Sequence, residues 1–176
     1  MLKKFSSFFR HLPSELTIEP QTLQLSDLHL RLTQAQVQDA EKMYFAQRLV
    51  YQGYSPWSQS AFERELQRDD SLYVNVWSRS QLVGFIGAHF NGHEAHITNL
   101  AVIPTVQERG IGSYLLQLII DRARDYQIHH LSLEVRIDNE PAQRLYRKFG
   151  FQPNFVRHNY YDDIKVDGLD MVLKLL

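Results

Sequence analysis

Gln107-Glu108-Arg109-Gly110-Ile111-Gly112 is the stretch on which the fold turns. An apolar run ends just before it at Val102, and just after it Ile111, Tyr114, Leu115, Leu118 and Ile119 recur with the spacing of a helix face. A strand therefore runs through two closely spaced glycines into a helix. Gly110 and Gly112 carry no side chain, so an anion can approach several backbone N–H groups, and the helix starting there adds the positive end of its dipole. Such a turn suits a pyrophosphate. It lacks the Gly-x-x-x-x-Gly-Lys-Ser/Thr spacing of a nucleotide-hydrolysing loop and the third glycine of a dinucleotide fingerprint, which sets aside nucleotide hydrolysis and hydride transfer. The same glycines would also let a helix start close to a sheet, and the turn alone does not separate the two readings.

Working outward, residues 72–77, 82–90 and 95–102 read as three strands separated by 78–81 and by the turn formers Asn91 and Gly92, an antiparallel meander. Downstream come a strand over 130–136, a helix over 139–149 and a closing strand pair over 151–159 and 168–175. Upstream, Leu28, Leu30 and Leu32 alternate as a strand, and Thr33 is placed to cap a helix carrying Val37, Ala40, Tyr44 and Gln47 on one face. Residues 51–58, with Gly53 and Pro56, read as an irregular connection to a second helix over 61–68. Strands and helices intermingle in one mixed α/β sheet.

Residues 1–26 differ from the rest. Phe5, Phe8, Phe9 and Leu12 fall at helical spacing beside Lys3, Lys4, Arg10 and His11, and Pro13 and Pro20 mark a linker after them. A dozen residues make only a marginal isolated helix, so an appended helix or mobile arm is the expectation, with a membrane or partner anchor as the alternative. With 176 residues, 44% of them apolar, the chain suffices for one domain. A net charge of -1 gives no general drive toward nucleic acid or anionic lipid. The count of zero cysteines excludes a disulfide framework, thiolate-bound zinc and a thioester on cysteine. No run of about 20 apolar residues and no secretory block is present, so the chain reads as a cytoplasmic protein with neither nucleic acid nor membrane as partner.

The second informative stretch is Leu133-Glu134-Val135-Arg136, followed by Asn139-x-x-Ala142-x-x-x-Tyr146-x-x-x-Gly150-Phe151. Together with the strand, the Gln-x-x-Gly-x-Gly turn and the helix before it, this resembles the GNAT superfamily of N-acetyltransferases from about residue 28 to the C-terminus. Leu-Glu-Val-Arg followed by Arg157-His158-Asn159-Tyr160-Tyr161, and Pro56-Trp57-Ser58 before Phe62, are similar to the RimI-like enzymes, which acetylate the N-terminal alanine of a small-subunit ribosomal protein. The resemblance implies a single domain over 27–176, α/β (α+β) in class, whose mostly antiparallel sheet is flanked by helices and splays a strand pair into the cofactor cleft. It implies acetyl coenzyme A as donor and a protein N-terminus as acceptor. Leu100, Ala101 and Val102 would offer backbone groups to the pantetheine arm, Gln107, Glu108, Arg109, Gly110, Ile111, Gly112 and Ser113 would form the pyrophosphate turn, and Asn139 would touch the same cofactor. Glu134 matches the general base and Tyr146 the general acid, while Tyr54, Trp57, Tyr160 and Tyr161 fall on the acceptor side. Many relatives carry a basic residue where this chain has Glu108, which leaves backbone groups and Arg109 to meet the phosphates.

The residues themselves agree with those roles. Along the strand, Leu131, Leu133 and Val135 point one way and Ser132, Glu134 and Arg136 the other, and on the next helix Asn139, Gln143 and Tyr146 form one stripe. Amine acetylation needs a group that takes the amine proton and one that gives a proton to the leaving thiolate; a carboxylate and a phenol of pKa about 10 divide those tasks. Read singly, Glu134 is better taken as a surface ion pair with Arg136 and Tyr146 as an aromatic cap on the core; the combined pattern favours the catalytic roles. Asp162, Asp163, Asp167 and Asp170 could draw a basic peptide toward a groove closed by residues 52–57, or simply solvate a hairpin. His93, His96, His129 and His130 lack a matched ligand set, so no metal is assigned. A small-amine or lysine acetyltransferase, or a non-catalytic acyl-coenzyme sensor, remain the alternative functions.

Overall fold

The computed structural model describes residues 16–161 and 164–176. Eight strands form one sheet: β1 (Gln21–Leu25), β2 (Leu28–Gln34), β3 (Ser71–Ser78), β4 (Gln81–Asn91), β5 (Glu94–Val102), β6 (His130–Arg136), β7 (Gln152–Tyr161) and β8 (Val166–Lys174). Their spatial order is β1-β2-β3-β4-β5-β6-β8-β7, with β5 and β6 parallel and every other neighbouring pair antiparallel. Four α-helices join them: α1 (Ala40–Val50), α2 (Gln59–Leu66), α3 (Ile111–Asp125) and α4 (Glu140–Lys148).

Helices cover both sheet faces, and β3 and β4 are accordingly buried along nearly their whole length. On the first face Phe62 of α2 packs edge-on against Phe85 of β4, and on the other Phe90 of β4 meets Tyr126 at the end of α3. The core side of α3 is the run Leu115, Leu116, Ile119 and Ile120, all essentially without solvent contact. No described helix is long and apolar enough to cross a membrane.

The feature that positions the site is an opening in the sheet. The β5–β6 ladder runs only from Glu94↔His130 to Ile97↔Leu133, after which β5 continues beside β4 and β6 beside β8. At that point the β4–β5 register slips, Gly87 pairing with Asn99 and Ala88 with Ile97, so that Thr98 is an extra residue. A bulge bends and twists its strand, which carries β5 away from β6. The Tyr73 hydroxyl meets Thr98 Oγ1 at 2.8 Å, and the Tyr73 ring lies so close over Gly87 that any side chain there would collide with it.

Two expectations need correction. Thr33 does not cap a helix: it lies within β2, where its hydroxyl accepts from Trp77 Nε1 at 2.9 Å. A short 3-10 turn, Val37–Asp39, precedes α1 instead, with Asp39 Oδ2 accepting from the Gln36 N–H at 3.0 Å. The sheet also begins upstream of residue 27. Leu16 and Ile18 are buried, the Gln34 side chain bonds both of their backbones, and β1 pairs with β2 through a two-residue turn at Ser26 and Asp27. The helix expected within residues 1–12 lies outside the described residues.

Candidate active site

The opened strands are the walls of a cleft. Along one side run Leu100 and Val102 of β5, then Gln107, Glu108 and the start of α3 from Gly110 to Ser113; along the other run Arg136, Asp138, Asn139 and the α4 residues Ala142, Leu145 and Tyr146. Together they enclose about 690 Å³. Gly110 is the N-cap of α3 at φ 90, a left-handed conformation that favours glycine, and nothing lies within 4 Å of where its side chain would start. The first N–H groups of α3 lack intrahelical partners, and Gly110 to Ser113, which carry them, line the cleft. Gln107 fastens the turn by donating from Nε2 to the Val102 carbonyl at 2.8 Å.

Not every residue of the glycine turn joins the lining. Arg109 is drawn to Asp27 in the β1–β2 turn at 2.7 Å, and Ala101 is buried, leaving Leu100 and Val102 as the β5 surface of the cleft. Asn139 caps α4, its Oδ1 accepting from the Ala142 N–H at 3.2 Å. Buried Gln143 donates to the carbonyls of Arg136 and Ile137, tying α4 to the end of β6. That bond fixes the stripe on which Asn139 and Tyr146 sit.

A smaller cavity of about 130 Å³ joins the cleft and brings Glu134 and Tyr146 together with Trp57 and Tyr161. Tyr51, Leu100, Arg136, Asn139, Ala142 and Tyr146 line both spaces. Tyr54 and Tyr160 do not line it: both residues are about half-exposed, Tyr160 standing edge-on to Tyr161 with its hydroxyl hydrogen-bonded to Glu134 from outside that cavity. Buried Gln47 shapes the opposite rim, its Oε1 lying 2.6 Å from the Ser55 hydroxyl and accepting from the Trp57 N–H at 3.3 Å. Neither Gln47 nor Tyr51 was singled out by sequence; a lone amide on the apolar face of α1 was the one signal there.

Glu134 does not pair with Arg136, which instead makes a two-bond fork to Asp138 at 2.9 and 2.7 Å. Its carboxylate meets His96 Nε2 at 3.1 Å and Arg157 Nη2 at 3.2 Å, with its side chain only 12% exposed. The His96 hydrogen bond, then the charges of His96 and Arg157, hold Glu134 below the ordinary carboxylate range against the opposing effect of burial. His96 is shifted upward, first by the same hydrogen bond. Burial pushes the Tyr146 phenol upward, so it keeps its proton at neutral pH. Asp170 is not part of an exposed acidic hairpin: it is buried, accepting from Asn154 Nδ2 at 2.9 Å. Asp167 accepts from the Asn159 N–H and from His158, and Asp162 and Asp163 lie outside the described residues. Among the described residues no group of three or more His, Asp or Glu is placed to hold a metal ion; His93 and His129 stack ring on ring at 4.1 Å.

A strand pair split by a bulge, with a glycine-opened helix start on one side and a carboxylate and a phenol in the adjoining cavity, defines a class. The chain belongs to the acetyltransferase (GNAT) family, whose model matches residues 35–151, and it is an acetyltransferase with acetyl coenzyme A as its donor. Within the family it is similar to the N-alpha-acetyltransferase RimI of Mycobacterium tuberculosis, at 37% identity over 136 residues covering 75% of this chain and 82% of that one. It is 32% identical over 122 residues to the ribosomal protein bS18-alanine N-acetyltransferase of Escherichia coli, covering 68% and 82%. A crystal structure of the Escherichia coli ribosomal-protein-S18-alanine N-acetyltransferase matches with TM-score 0.74 at 28% identity over 83% of this chain and 94% of that one.

Proposed function

We propose that the enzyme acetylates the N-terminal α-amino group of a protein, a ribosomal protein beginning with alanine, by direct attack on the thioester of acetyl coenzyme A. The observation that carries this reading is that Glu134 and Tyr146 line one cavity continuous with the donor cleft. The names of the Mycobacterium tuberculosis and Escherichia coli relatives support the acceptor class.

The donor would lie in the split, its pantetheine arm along Leu100 and Val102 like a further strand, its pyrophosphate over the backbone of Gly110 to Ser113, with Asn139 beside it. Glu108, an acidic residue, lines the same cleft, so the backbone N–H groups and the helix dipole would bear the phosphate charge. The acceptor enters between Trp57 and Tyr161. Its amine loses a proton toward Glu134 as nitrogen attacks the carbonyl carbon, and Tyr146 gives a proton to the departing thiolate. With no cysteine in the chain, transfer occurs in one encounter of donor and acceptor rather than through a thioester on the enzyme. An α-amine of pKa about 7.7 to 8.0 is easier to deprotonate than lysine at about 10.4, a difference of roughly 3.4 kcal/mol. That margin favours an N-terminus.

The test is acetylation of peptides beginning in alanine, of the same peptides blocked at the N-terminus but containing lysine, and of polyamines. Preference for the free terminus is the expected result. Preference for lysine or a polyamine overturns the acceptor assignment, and tight acetyl coenzyme A binding without turnover of any acceptor overturns the catalytic one.

A further inference from the structure

His96 is the residue whose setting this reaction leaves unused. It stands on β5 one position before the last β5–β6 pair, directly across from Ser132. Its Nε2 faces the Glu134 carboxylate at 3.1 Å, and its Nδ1 lies 2.7 Å from the Ser132 hydroxyl, which donates onward to Glu94 Oε1 at 2.6 Å. Glu94 is half-exposed and has His130 at 3.8 Å. The row Glu134–His96–Ser132–Glu94 thus leads from the cavity to the surface along the strands that open the cleft.

The orientation of the imidazole is set by its partners. Ser132 gives its one hydroxyl proton to the Glu94 carboxylate, so its oxygen accepts from His96 Nδ1–H; Nε2 donates to Glu134 when it carries a second proton, and in the neutral ring it is the nitrogen left open beside that carboxylate. A neutral imidazole held this way and an ionised Glu134 have room between them for one proton. The other titratable groups around the pair are Arg157 and the phenols of Tyr160, which hydrogen-bonds Glu134, and Tyr161 from β7, with Asp170 from β8, and His89, opposite His96 in the β4–β5 ladder, is taken by Glu65 of α2.

We propose that the working base is the Glu134–His96 pair and that the amine proton comes to rest on His96 Nε2. The reading rests on Glu134 as the group that meets the amine. The amine N–H bond breaks with its electrons left on nitrogen, the proton crosses the Glu134 carboxylate, and an N–H bond forms on His96, which becomes an imidazolium between Glu134 and the Ser132–Glu94 arm. The imidazolium returns its proton to water before the next turnover. His96 is a positioning and proton-storing residue: it acts through Glu134 and does not touch the acceptor. Its effect is to give the site the basicity of a histidine, close to that of an α-amine, where a carboxylate held low would be a poor match.

The experiment is the pH dependence of kcat at saturating peptide for the full chain and for His96→Gln, Ser132→Ala and Glu134→Gln, with acetyl coenzyme A binding and circular dichroism as controls. The amide in His96→Gln can still donate to Glu134 but stores no proton. We expect kcat in His96→Gln to fall about tenfold or more at pH 8 and its acid-side inflection to disappear, with acetyl coenzyme A affinity within about twofold. Ser132→Ala, which frees the imidazole to rotate, should fall by about threefold to fivefold. A native kcat and inflection in His96→Gln, beside a crippled Glu134→Gln, overturns the proposal and leaves Glu134 as base. A native kcat in Glu134→Gln removes the base assignment itself. NMR titration of the His96 ring in the unaltered protein gives a second readout: its midpoint should coincide with the kcat inflection, and a separation of more than one pH unit overturns the proposal.

Discussion

Glu134 and Asp170 stand directly opposite each other in the β6–β8 ladder, and a single guanidinium, that of Arg157, reaches them at 3.2 and 3.5 Å. Like charges facing across a ladder repel, and these two carboxylates are mostly buried. The Arg157 guanidinium also lies over two rings, 4.7 Å from that of Phe155 and 5.6 Å from that of Tyr160. Arg157→Ala should lower stability by about 1–3 kcal/mol at neutral pH, with a smaller loss in acid where a proton relieves the repulsion. Urea unfolding at the two pH values measures it.

Removing the proton-handling groups should leave the donor grip intact. Glu134→Gln and Tyr146→Phe are close in shape to the native residues, and each should lower kcat by about 100-fold or more while acetyl coenzyme A affinity changes little. Unchanged turnover in both variants would reject the assigned roles.

The His96–Glu134 contact makes stability depend on pH in a definable window. Glu134 is held below its ordinary value of 4.5, so its share is present above that pH and fades as acid passes its folded value. His96 is held above 6.5, so its share is complete below that pH and is lost as pH rises through its folded value. The stability difference between the native chain and His96→Leu should therefore be largest between these two values and shrink on either side. Denaturant midpoints across the pH range check the shape.

Gly110→Ala tests the turn. A Cβ has space there, but φ 90 is a conformation L-residues rarely adopt, so the cost is backbone strain of about 1–2 kcal/mol. Because the same residue lines the donor cleft, KM for acetyl coenzyme A should rise with it, which steady-state kinetics with each substrate varied would show.

Phe62 links the core to the acceptor side. It is fully buried between Trp57, at 5.3 Å, and Phe85, at 5.5 Å. Phe62→Ala should cost about 3–5 kcal/mol and also loosen Trp57, raising KM for peptide more than KM for acetyl coenzyme A. Equal changes in both constants would separate Trp57 from acceptor binding.

The legible parts of this molecule are those whose signal is local. The glycine turn, the helix after it, the strand holding Glu134 and the helix holding Tyr146 each announce themselves within about fifteen residues, as periodicity and turn chemistry do. β1 was hidden because its edge position leaves Gln21, Thr22 and Gln24 exposed, so the segment carries little apolar pattern; the two-residue hairpin to β2 was its better clue. The partners of Glu134 were hidden for another reason. His96 lies 38 residues away on β5, brought beside β6 by the parallel pairing, and Arg157 lies 23 away on β7, reaching Glu134 across the intervening β8. The bulge at Thr98, which opens the cleft, likewise exists only as a slip between two strands.

The order β6-β8-β7 puts Arg157, Tyr160 and Tyr161 on the outermost ribbon, after residue 151 where the family match ends. The residues lining the larger cleft, and Glu134 with them, come before that residue. The cavity around Glu134 is thereby assembled from two separate lengths of chain, Trp57 from within the matched span and Tyr161 from the ribbon beyond it, so its rim can change at one end while the other end and the larger cleft stay as they are.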